Sequence, residues 1–163
     1  MIWVYKYDPP YLAPPYLIEN PSQTDCSTPE SALIALHSAA GRNIPWYLSL
    51  FDEYSQKWLK EQGWLSEELK GKPIGNRIQE GNFFKFLYKV EYILGGNDYQ
   101  VLMGTRFTKH KPSKVFSSEL FIKQDNRWLK TLLRKGNPFL LQIGFCDYDE
   151  LMKISRPFDE EKK

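Results

Sequence analysis

Apolar residues recur along this chain with two different periods, and the change from one to the other falls close to residue 83. In the first half, Ala32, Leu33, Ala35, Leu36, Ala39 and Ala40 fall on one stripe of a helix. The stripe is built mostly of small side chains, which lets the backbone come close to whatever it packs on. Ser27-Thr28-Pro29-Glu30 supplies the start. Either hydroxyl caps, Pro29 suits the first turn, and Glu30 stands three residues after Ser27 as in a capping box. Gly41 supplies the stop. Asn43 and Pro45 open a second helical segment, in which Tyr47, Leu48, Phe51, Tyr54, Trp58 and Leu59 recur at spacings of three and four until Gly63. Ser66 begins a shorter third segment that ends at Gly71 and Pro73.

From Phe83 the period becomes two. Phe84, Phe86, Tyr88, Val90, Tyr92 and Leu94 alternate with Lys85, Lys89 and Glu91, which predicts a strand. Gly95-Gly96-Asn97-Asp98 is a hairpin turn into a second strand over residues 99–110, whose greasier face carries Tyr99, Val101, Met103 and Phe107. Lys111-Pro112-Ser113-Lys114 reads as the next turn, residues 115–124 as the third strand, Asp125-Asn126 as a tight reversal and residues 127–133 as the fourth strand. After Gly136-Asn137-Pro138, residues 139–145 read as a fifth strand or an edge segment, and residues 147–163 as a C-terminal segment with a charged tail.

Residues 1–26 read as an extended arm, because Pro9, Pro10, Pro14, Pro15 and Pro21 break any helix while Trp3, Tyr5, Tyr7, Tyr11 and Tyr16 add large adhesive surfaces. Pro-Pro-Tyr-Leu occurs twice, at residues 9–12 and 14–17, a polyproline-compatible repeat. Such an arm packs its tyrosines onto its own domain or a neighbouring subunit, or inserts into a partner.

Composition narrows the class. The chain has 163 residues, 42% of them hydrophobic and 15% aromatic, enough for one domain with a substantial core and no need of a disulfide scaffold. A net charge of +2 gives no strong field for nucleic acid or anionic lipid. Cys26 and Cys146 are far apart and form neither a disulfide framework nor a zinc ribbon, although one bridge stays open. No apolar run approaches the ~20 residues of a membrane span. Met1 to Tyr5 is too short for a signal-peptide core, so the chain reads as cytoplasmic, or as secreted if a leader was removed. No phosphate-binding loop, dinucleotide fingerprint, nucleophile elbow or zinc-protease motif is present, and no cofactor is expected.

Helices followed by long antiparallel strands predict an α+β fold, with residues 27–146 as the domain and its N-terminal helices covering one face of a strongly curved antiparallel sheet. Thr28-Pro29-Glu30-Ser31-Ala32-Leu33, Tyr54-Ser55-Gln56-Lys57-Trp58-Leu59 and the closing hairpin Phe121-Ile122-Lys123-Gln124-Asp125-Asn126-Arg127-Trp128-Leu129-Lys130 resemble the nuclear transport factor 2-like superfamily, over residues 28–145. The resemblance implies a cone-shaped, cystatin-like fold with a pocket between sheet and helices. Isomerases, cyclases, dehydratases and non-catalytic binding modules all use it. The N-terminal arm and the segment after Phe145 depart from the family pattern.

Candidate chemistry is sparse. His37 borders the apolar stripe of the first helix and either faces a pocket or bonds a backbone carbonyl at the helix edge. His110 lies between Lys109 and Lys111, at a solvated hairpin tip. Arg106 and Glu119 lie mid-strand, near one another across the turn at residues 111–114, as a cross-strand ion pair or a polar pair facing the concavity. Tyr88, Tyr92 and Trp128 from the sheet and Tyr54 from the second helix are the candidate pocket walls. Asp147, Asp149 and Glu150 lack calcium-loop spacing and read as helix-start acids, so no metal site is expected. These features favour a non-catalytic module that binds a small apolar ligand or a protein partner, with a homodimer through the exposed sheet face. The alternative is a small isomerase, cyclase or dehydratase of the ketosteroid isomerase type, with acid-base residues in the pocket.

Overall fold

A computed structural model describes residues 2–13, 18–40, 43–63, 83–108, 111–132 and 156–157. Strand β1 (Ile2–Ala13) comes first, then a 3-10 turn (Pro21–Gln23) and helices α1 (Pro29–Ala39), α2 (Ile44–Ser49) and α3 (Glu53–Glu61). Strands β2 (Phe83–Leu94), β3 (Asn97–Thr108), β4 (Lys111–Gln124) and β5 (Arg127–Lys130) follow as a meander, and the two-residue β6 (Arg156–Pro157) closes the order. The sheet is open, in the order β5-β4-β3-β2-β1-β6. Neighbours are antiparallel except β6, which runs parallel to β1 at Trp3 and Val4. The fold is α+β.

The helix starts follow the capping rules with one shift. Thr28, not Ser27, caps α1, and Ser31 rather than Glu30 completes the reciprocal box. Glu30 is thereby released for another contact. The single helical segment expected over residues 43–63 is two helices, because Asp52 caps α3 while Phe51 forms a parallel bridge with Lys130. That break has a use. Lys130 N donates to Leu50 O at 2.8 Å, Asp52 N to Lys130 O at 3.0 Å, and Trp128 N to Cys26 O at 2.8 Å, so the outer edge of β5 is paired by loop backbone. The short third helical segment and the strand expected over residues 139–145 lie outside the described residues.

Residues 2–13 of the arm form a strand of the sheet. Residues 2–6 of β1 pair with β2 from Ile2 opposite Tyr92 to Lys6 opposite Tyr88, and pairing resumes with Tyr11 opposite Phe86. Pro9 and Pro10 fall in the intervening irregularity, where a missing N–H breaks no ladder bond. Of the first Pro-Pro-Tyr-Leu copy, Tyr11 packs against the core with its ring 6.5 Å from that of Phe86, and Leu12 is exposed. The second copy lies outside the described residues.

The β2–β3 and β4–β5 turns use left-handed backbone, at Gly95 and Gly96 (φ 58° and 80°) and at Asp125 and Asn126 (φ 48° and 60°), the geometry that matches strand twist. Residues 111–114, expected as a turn, already belong to β4, with Lys111 opposite Thr108. Within β2 the even-numbered alternation does not stay on one face. Phe86 pairs with Gly104 and Tyr88 with Met103, so Leu87 is an extra residue that turns the strand over. Phe86 therefore joins Leu33, Leu36, Trp46, Phe51, Leu102, Phe121 and Trp128 in the core beneath the helices. Tyr88, Val90 and Tyr92 join Val4, Tyr99, Val101, Met103, Leu120, Ile122 and Leu129 in a second core on the opposite face.

The residues of this second core, from Val90 at 0% to Leu129 at 9% exposed, are buried within the single chain.

Candidate functional site

Where β1 passes the first turn of α1, three side chains of alternating chemistry converge. Tyr7 donates its phenolic hydrogen to Glu30 Oε1, and Lys89 Nζ from β2 lies 3.0 Å from the same oxygen. Strand pairing brings Lys89 opposite Tyr5, whose ring lies 5.4 Å from the ammonium, and Tyr5 in turn meets Tyr7 edge-on at 5.2 Å. Tyr11 adds a third ring 5.8 Å from Tyr7.

The electrostatics of this cluster are one-directional. Burial, then the Glu30 carboxylate, pushes the Tyr7 phenol far above its ordinary range, and the same two causes raise Tyr11. Burial by itself would raise Glu30. The hydrogen bond from Tyr7 and the charge of Lys89 outweigh it and hold the carboxyl below its ordinary value. Phenol and carboxylate are thus driven apart in proton affinity and keep one protonation state across the neutral range, whereas an acid-base catalyst needs a group poised near it. The arrangement is a clamp between strand and helix.

Other polar groups near the sheet are also committed. Lys130 donates to Glu119 and lies 5.5 Å from the Phe121 ring centre. Gln100 Nε2 donates to Glu91 Oε2 at 2.8 Å. Asp52, almost fully buried, accepts from Ser55 N and from Thr131 Oγ1, both at 3.2 Å, while Ser55 Oγ accepts from Leu132 N at 2.8 Å.

Among the described residues, the strand positions of the acid-base candidates lie apart along the backbone. Glu119 lies opposite Leu102 and Arg106 opposite Val115. This four-residue offset separates them by about 13 Å of strand, and Glu119 takes Lys130 instead. His37 is buried in the last turn of α1, seven residues and roughly 10 Å along the axis from Glu30. Tyr88 and Tyr92 belong to the core on the face away from the helices, and the stacked Tyr92 and Tyr99 rings lie 5.2 Å apart there. Burial, then Tyr99, raises the Tyr92 phenol, and burial, then Asp52, raises that of Tyr99. Trp128 belongs to the core under the helices, and Tyr54 on α3 is 55% exposed. The four candidate walls are therefore distributed over three environments. Cys26 is a buried free thiol, and His110, Cys146, Asp147, Asp149 and Glu150 lie outside the described residues.

Tyr7, Glu30 and Lys89 are absent from the sequence-derived candidates. One signal for Tyr7 was available: Trp3, Tyr5 and Tyr7 alternate with Val4 and Lys6, a strand pattern that ends before the first proline. Among the described residues no group of three or more His, Cys, Asp and Glu is placed to hold a metal ion, and no helix is long and apolar enough to cross a membrane. No family model, curated protein or solved structure matches the chain.

Proposed function

We propose that the chain is a non-catalytic binding module of the nuclear transport factor 2-like type, its helices laid across an arched sheet, and that it holds a protein partner on its outer surface. The observation that carries this reading is the filled seam between α1 and the sheet. Leu33 of α1, Phe86 of β2, Leu102 of β3 and Phe121 of β4 are each 0% exposed in one continuous core, at the level where the family resemblance puts a pocket. Recognition then falls to the outside, where Leu12, Tyr54, Ile93 and Leu94 are exposed apolar side chains.

Native mass spectrometry of the full chain tests the reading. The expected spectrum is that of the bare polypeptide, with no retained small molecule. A co-purified apolar ligand, released when Trp128→Ala or Tyr92→Ala is introduced, would overturn the partner reading in favour of an internal pocket. Isomerase or dehydratase turnover that disappears in His37→Ala would overturn the non-catalytic one.

A further inference from the structure

We draw no further inference here: the strongest candidate, the open polar groove of about 310 Å³ between the β2–β3 and β4–β5 turns, lined by Asn97, Asp98, Lys123, Asp125 and Asn126, is a cluster of surface turn residues in which no second observation points to a ligand.

Discussion

Tyr7 of β1 donates its phenolic hydrogen bond to Glu30 of α1, 23 residues further along the chain, and Lys89 of β2 shares the acceptor oxygen. Two side chains from neighbouring strands thus converge on one carboxylate at the head of the helix. A hydrogen bond to a charged group contributes about 1.5–3 kcal/mol, more than the ~1 kcal/mol of a neutral one.

Tyr7→Phe, which keeps the ring and removes the hydroxyl, is expected to lower stability by about 2 kcal/mol in urea denaturation. Glu30→Gln is expected to cost about 2–3 kcal/mol, because it leaves the Lys89 side chain, 18% exposed, without this counter-charge. The double variant should fall short of the sum by roughly 1 kcal/mol or more. Strict additivity would mean that the two side chains do not act on each other.

The same cluster sets a pH dependence at both ends of the scale. Glu30 is held below its ordinary 4.5, so its contribution is present above that pH and is lost as pH falls through the lower folded-state value. Tyr7 is raised above its ordinary 10.0, so its contribution is present below that pH and is lost as pH rises beyond it. The stability gap between wild type and Glu30→Gln should accordingly shrink as pH is lowered from neutrality to below 4.5. A gap that stays constant would contradict an ionised Glu30 in the native state.

Gly104 is a steric requirement. A Cβ there would stand 2.1 Å from Lys85 O and 2.6 Å from Phe86 Cα, backbone atoms of β2 just before the bulge. Gly104→Ala is expected to cost more than about 3 kcal/mol or to abolish soluble expression. Gly96→Ala meets no atom within 4 Å and strains only its left-handed backbone, at a cost of about 1–2 kcal/mol. Thermal melts of the pair should show this order, and equal losses would place the bulge wrongly.

Asp52 joins helix and sheet at a single buried position. Asp52→Ala removes the cap of α3 and leaves the Thr131 hydroxyl without this acceptor, a loss of about 2–3 kcal/mol. Asp52→Asn retains a capping oxygen and should cost clearly less. Hydrogen exchange at the Lys130 carbonyl's partner, Asp52 N–H, should accelerate in Asp52→Ala before exchange does in β2 and β3.

Part of the site was legible and part was not. The aromatic alternation of Trp3, Tyr5 and Tyr7 is visible in the chain, but reading it as a strand meant setting it apart from the prolines that follow. The pairing of Glu119 with Lys130 was hidden by register. Arg106 and Glu119 look adjacent if residues 111–114 form the turn, and move apart once β4 starts at Lys111. A register offset changes every neighbour along a strand, and no local pattern encodes it.

Local chemistry in the sequence determined the starts of α1 and α2, the left-handed turns at Gly95-Gly96 and Asp125-Asn126, and the order of helices before a meander, because caps, turn formers and period depend on residues only a few positions apart. Tertiary structure alone decided that residues 2–13 join the sheet, that Phe51 leaves the helix to pair with Lys130, and that Leu87 bulges so that Phe86 and Tyr88 enter different cores. Each of these follows from satisfying backbone groups and filling space across long separations, and that requirement exists only once the layers have met.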